Sequence, residues 1–175
     1  MKLKMKGQNM NRKVLTALAI ASVCIGIAAA HPQGIGLGLM AGEPSGLSLK
    51  VWTGPHVALD AGLGYSYWWY GQALQVHGDV LWHTNSLTQS SADGYLPLYI
   101  GLGARVKLAN EANEHTYPLR AGLRIPFGLE YVLASVPIGL FVELVPIFDL
   151  TPDARGFGGN SAIGFRYYFS GSSED

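Results

Sequence analysis

Leu98-Tyr99-Ile100-Gly101-Leu102-Gly103-Ala104-Arg105-Val106-Lys107 alternates with a period of two. Leu98, Ile100, Leu102, Ala104 and Val106 fall on one face, and Tyr99, Gly101, Gly103, Arg105 and Lys107 on the other. Successive side chains of a strand point to opposite sides of the sheet, so this stretch reads as a strand with one apolar face. The opposite face combines glycine with full charges. Buried charge is very costly unless it is paired.

The same pattern recurs on both sides of this segment. Candidate strands run over 34–41, 46–53, 56–67, 73–84, 96–109, 117–127, 136–149 and 160–169. Gly54-Pro55 and Glu43-Pro44-Ser45-Gly46 read as tight hairpin connections, the second with Gly46 supplying backbone freedom. The stretch Leu129–Ser135 is the one that suggests a turn or two of helix, and it leaves a long link from Gly128 to Ser135. Asn85–Tyr95 is a second long link at the same end. An even number of strands lets an up-and-down sheet close with both termini on one side.

Strand parity separates two kinds of small barrel. A soluble barrel turns its apolar face inward, whereas a membrane barrel turns it outward to lipid. Leu47, Leu49 and Val51 oppose Ser48, Lys50 and Trp52. Val57, Leu59 and Leu63 oppose Asp60, Gly62 and Gly64, and Leu74, Val76, Val80 and Trp82 oppose Gln75, His77, Asp79 and His83. Leu119, Leu123 and Ile125 oppose Arg120, Gly122 and Arg124. Leu140, Val142 and Leu144 oppose Gly139, Phe141 and Glu143, and Ile163, Phe165, Tyr167 and Phe169 oppose Gly164, Arg166 and Tyr168. The apolar faces carry no charge. The expected fold is therefore all-β: an eight-stranded antiparallel up-and-down transmembrane β-barrel, preceded by a signal peptide.

The inward set then comprises Lys50, Arg105, Lys107, Arg120, Arg124 and Arg166 with Asp60, Asp79 and Glu143, and Asp149 at a rim. Opposite charges across so narrow a lumen are expected to pair and plug it. Aromatic side chains gather where the strands would meet the membrane interfaces, as amphipathic rings do. Tyr65, Tyr67, Trp68, Trp69, Tyr70, Tyr117 and Phe148 fall at one rim; Trp82, Tyr95, Phe127, Tyr131, Tyr167 and Phe169 fall at the other. Trp52 is the exception, with inward parity.

The N-terminus reads as an export signal. Lys2, Lys4, Lys6, Arg12 and Lys13 precede an apolar run from Val14 to Ile27, and Ala28-Ala29-Ala30 offers a cleavage site. The run is shorter than the about 20 apolar residues a spanning helix needs. The expected division is a signal peptide over 1–30, the barrel over 31–169 and a polar tail over 170–175. Cleavage removes five of the 12 basic residues and no acidic one, leaving seven basic against 12 acidic. A net-acidic chain has no footprint for nucleic acid. Cys24, the only cysteine, leaves with the signal, so no disulfide, thiolate metal site or cysteine nucleophile is expected in the mature protein.

The segments Gly42-Glu43-Pro44-Ser45-Gly46-Leu47-Ser48, Asp79-Val80-Leu81-Trp82-His83, Pro97–Arg105, Phe141-Val142-Glu143-Leu144-Val145-Pro146 and Gly164–Phe169 resemble an uncharacterised domain-of-unknown-function family of small outer-membrane β-barrels from diderm bacteria. The architecture is also similar to the OmpA- and OmpX-type eight-stranded barrels. This resemblance implies fold and an outer-membrane location, and no activity. The last strand, closing on Phe169, resembles the signal that barrel-assembly machinery recognises, although the tail Ser170–Asp175 follows it.

Few motifs compete with that reading. Gly34-Ile35-Gly36-Leu37-Gly38 precedes no helix and so fails as a dinucleotide loop. His31, His56, His77, His83 and His115 lack metal-ligand spacing, and no cofactor is expected. His83-Thr84-Asn85 loosely resembles the His-x-Ser-Asn motif of outer-membrane lipid A deacylases, with Thr in place of Ser. The expected role is thus a monomeric structural or surface-presenting barrel and not an enzyme. Its partners would be outer-membrane lipids, the assembly machinery and an extracellular partner of unknown kind. The alternative is a lipid-binding or lipid A-modifying enzyme.

Overall fold

The computed structural model describes residues 34–67, 73–84, 87, 94–109, 119–151 and 156–169. Ten strands form one antiparallel sheet: β1 (Ile35–Gly42), β2 (Ser45–Trp52), β3 (Val57–Ser66), β4 (Ala73–His83), β5 (Gly94–Tyr95), β6 (Leu98–Ala109), β7 (Leu119–Arg124), β8 (Phe127–Leu133), β9 (Ile138–Asp149) and β10 (Gly156–Phe169). Each long strand pairs with its neighbour in sequence, and β10 returns to pair with β1 from Ile35↔Phe169 to Gly42↔Ala162. The sheet therefore closes on itself. Closure removes the free edges that an open sheet would expose.

The count exceeds the expected eight for two reasons. First, β5 is a two-residue strand that pairs with the end of β8. Second, β7 and β8 follow one another along the same path between β6 and β9. Gly103↔Arg124 and Ile100↔Phe127 lie on one register with β6, as do Gly122↔Asp149 and Phe127↔Leu144 with β9. The interruption is Ile125-Pro126, where proline removes a ladder donor.

Four sequence expectations are corrected here. Leu129–Ser135 is not helical: Phe127–Leu133 is strand, bonded to β6, β9 and β5. Pairing on both sides overrides the weak local signal. The long link expected from Gly128 shrinks to residues 134–137. At the β1–β2 hairpin, the positive φ falls on Gly42 (134°), while Gly46 lies within β2. There Gly42 N–H donates to Ser45 Oγ and Ser45 Oγ–H donates back to Gly42 C=O, both at 3.0 Å. The last strand also begins four residues earlier than its apolar alternation suggested, at Gly156.

The barrel has a near end, where β1 starts and β10 finishes, and a far end. Its outward face is uncharged and, but for Ser161 on β10, apolar along the strands. Leu37, Leu49, Val76, Ile100, Leu102, Val142, Leu144 and Ile163 are all exposed, and Leu144 and Ile163 each reach 62 %. Outward aromatics collect at both ends: Trp82, Phe127, Tyr167 and Phe169 at the near end, Tyr67, Phe148 and Phe157 at the far end. Trp68, Trp69, Tyr70 and Tyr117 lie outside the described residues, as do the signal segment, the tail, His31, Asn85 and His115.

Candidate functional site: the charged interior of the barrel

All 12 described Lys, Arg, Asp and Glu residues have inward parity or sit at the barrel mouth. All are buried except Arg120, which is half-buried on β7. Lys50, Arg105, Lys107, Arg120, Arg124 and Arg166 face Glu43, Asp60, Asp79, Glu130, Glu143 and Asp149. Six cations thus meet six anions. The six cations and four anions expected from the sequence become six and six, because Glu43 and Glu130 join the set.

The near layer centres on Lys50. Its ammonium contacts the Glu130 carboxylate and lies 2.8 Å from His83 Nε2. Tyr168 O–H donates to Glu130 Oε1 at 2.5 Å. Aromatic rings enclose the cation: Nζ is 4.9 Å from the Trp52 ring centre and 5.1 Å from that of Tyr99. Such rings attract a desolvated cation through their quadrupole. His83 stands between Trp52 and Tyr99, with ring centres 4.4 and 5.2 Å away.

Two arginines build the middle layer. Arg166 donates from Nη2 to both Asp60 oxygens at 2.8 and 3.1 Å and from Nε to Ser48 Oγ at 2.9 Å. Its guanidinium lies 3.9 Å over the Phe141 ring, and its Nη1 is 3.5 Å from Glu130. Arg124 donates from Nε to Asp79 at 3.1 and 3.2 Å and from Nη2 to Glu143 at 3.2 Å. Tyr99 O–H donates to Glu143 at 3.0 Å. The planar fork of arginine suits such shared contacts better than an ammonium would.

In the far layer, Arg105 donates to Asp149 at 2.8 and 3.1 Å and to Asn160 Oδ1 at 3.0 Å. Lys107 contacts Ser66 Oγ and donates to Glu43 at 3.0 Å. Glu43 also accepts from the Tyr67 backbone N–H at 3.0 Å, tying the β1–β2 hairpin to the end of β3.

Glycine makes room for these long side chains at particular points. A Cβ on Gly128 would overlap the Tyr99 ring, and one on Gly62 would lie 2.6 Å from His77 Nε2. The interior also holds apolar residues. Trp52 and Ala58, inward by parity, are joined there by Leu81, Pro126, Val145 and Ile147, on or beside the row Trp52↔Ala58↔Leu81↔Gly101. In runs such as Leu144-Val145 and Ile147-Phe148 both faces are apolar, so alternation carries no signal.

The sequence-derived interior residues Lys50, Asp60, Asp79, Arg105, Lys107, Arg124, Glu143 and Arg166 are brought together by these layers, with Arg120 nearer the far mouth. Of the outward aromatics, Tyr67, Trp82, Tyr167 and Phe169 are exposed, and Tyr167 and Phe169 pack edge-to-face at 5.0 Å. Sequence reasoning missed Glu43 and Glu130. Parity across Pro126 would have revealed Glu130.

Closed sheet, apolar exterior and charged interior define an inside-out β-barrel. No protein-family model and no curated protein matches this sequence. Among solved structures it is similar to the N-terminal β-barrel domain of Pseudomonas aeruginosa OprF, with a TM-score of 0.58 and 15 % identity. That match covers 77 % of this chain and 95 % of the other. At that identity the likeness concerns the fold.

Proposed function

We propose that this chain is an exported outer-membrane β-barrel whose own side chains plug its interior, and that it serves as a structural or surface-presenting protein. The reversed polarity carries this reading: every described charge is turned in or sits at a mouth, while the outward face is leucine, valine, isoleucine and aromatics. Exposed apolar surface on that scale suits hydrocarbon and not water. Aromatics at both ends of the belt agree with two membrane interfaces. The paired layers from Lys50 to Lys107 support a closed interior. In this reading the protein is monomeric, is delivered by the assembly machinery through the strand ending at Phe169, and meets an extracellular partner through its far-end loops.

Heat-modifiable migration of the protein in outer-membrane fractions tests location and barrel fold together; its absence there overturns the reading. Planar-bilayer recording tests the plug, because stable conducting openings of the purified barrel contradict it.

The lipid A-modifying alternative has weaker support. His83 Nε2 lies beside Lys50, and the Thr84 hydroxyl is directed to the Leu98 carbonyl at 3.3 Å, so the two do not form a nucleophile–base pair. An altered lipid A mass spectrum in cells lacking the gene would revive it.

A further inference from the structure

The strand path formed by β7 and β8 is weakened on both sides at one height. Gly101 N–H donates to the Pro126 carbonyl at 2.8 Å, and Ile125 N–H donates to the Pro146 carbonyl at 3.1 Å. In an antiparallel ladder such bonds come in pairs, each residue donating to the other. Here the return bonds would start from Pro126 and Pro146, which have no N–H. One ladder bond is therefore missing toward β6 and one toward β9, at adjacent residues. Proline is rarely placed inside a sheet, and a lost backbone bond is especially costly within a bilayer.

Immediately next to this seam, on the near side, the outer face is concave. A groove of about 450 Å³ is lined by Trp82, Leu98, Ile100, Phe127, Leu129 and Leu144 among others. Phe127 follows Pro126 directly, and Leu144 is its partner on β9. Thr84, at the near rim, is the outermost polar residue of the lining. Tyr99 and Glu143 also border it, but both side chains are buried toward the interior, so the side chains the groove presents outward are apolar except at the Thr84 rim.

We propose that this groove seats one acyl chain of a bilayer lipid, held with its headgroup at the Thr84 rim and its tail running toward Pro126. The inference rests on the membrane reading above, since only there is hydrocarbon the medium that fills a concavity in the belt. Other apolar concavities, of about 310 to 600 Å³, exist on this face. The double proline seam distinguishes this one, because the wall beside it can yield to a chain without breaking further ladder bonds.

The test uses the full-length purified barrel in nanodiscs containing a small fraction of phosphatidylethanolamine with a diazirine near the acyl terminus. After irradiation, crosslinked residues are mapped by mass spectrometry. Crosslinks are expected to concentrate on Phe127, Leu129 and Leu144 over Leu37, Leu39 and Leu49, which lie on the other side of the barrel. Leu129→Trp should fill the groove and reduce labelling there to the level of the rest of the belt. Leu144→Trp provides a second filling variant should the first not fold, as judged by heat-modifiability. Even labelling around the barrel, or crosslinks between two copies at the groove, overturns the lipid seat while leaving the membrane reading intact. Labelling of interior residues in place of the belt would overturn both.

Discussion

Glu130 on β8 meets Lys50 on β2 across the barrel, 80 residues apart in the chain, and both side chains are fully buried. Tyr168 and Arg166 close around the same carboxylate. Removing one partner leaves a buried charge uncompensated. Lys50→Met or Glu130→Gln should therefore each cost about 3–5 kcal/mol, while the double substitution Lys50→Met with Glu130→Met should cost much less than the sum. Urea titration of the folded, fast-migrating form measures this. Additive losses would show that the pair is not coupled.

That pair also marks the limit of what the sequence revealed. Interior residues such as Asp79, Arg105 and Arg166 were legible because apolar outward residues stand beside them: Val80 after Asp79, Ala104 and Val106 around Arg105, Phe165 and Tyr167 around Arg166. Glu130 was not, because Pro126 interrupts the pattern and Gly128-Leu129 resembles the start of a link. Glu43 escaped because it belongs to a hairpin turn, where parity is undefined; its partner Lys107 becomes apparent only when β6 and the β1–β2 hairpin meet at the far end. Buried apolar residues such as Leu81 and Val145 were illegible for a different reason, lying in runs apolar on both faces.

Tyr99 depends on the absence of a side chain at Gly128. A methyl group there would sit 2.6 Å from Tyr99 Cε1 and closer still to Cζ and the hydroxyl oxygen. The ring is also held by Glu143 and packs against His83, so it cannot simply swing aside. Gly128→Ala should destabilise the barrel by about 1–3 kcal/mol, the usual range for overpacking a filled interior. Combining it with Tyr99→Leu should recover part of that loss. A Gly128→Ala protein as stable as the parent would mean that the ring has another place to go.

Pro146 offers a gain in stability. Its ring occupies the position from which a backbone N–H would reach the Ile125 carbonyl, and it is only half-buried, so replacing it empties no core space. Pro146→Val should restore that bond and stabilise the fold by about 0.5–1.5 kcal/mol. Hydrogen exchange provides a direct readout, with the amide newly created by the substitution protected like its neighbours on β9. Rapid exchange at that amide would show that the seam is open for a reason other than the missing donor.

Trp52 and Trp82 lie on opposite sides of the barrel wall, 1 % and 48 % exposed. The sequence contains four tryptophans, and replacing Trp68 and Trp69 with Phe leaves this pair. Two further variants then carry one each. In bilayers of lipids brominated along the acyl chain, fluorescence from Trp82 should be strongly quenched, because an outward indole near a rim is in contact with chains. Trp52 should be protected, since it packs within the interior against His83 and beneath Lys50. Equal quenching would contradict the parity on which the inside-out barrel rests, and quenching of Trp52 alone would invert it.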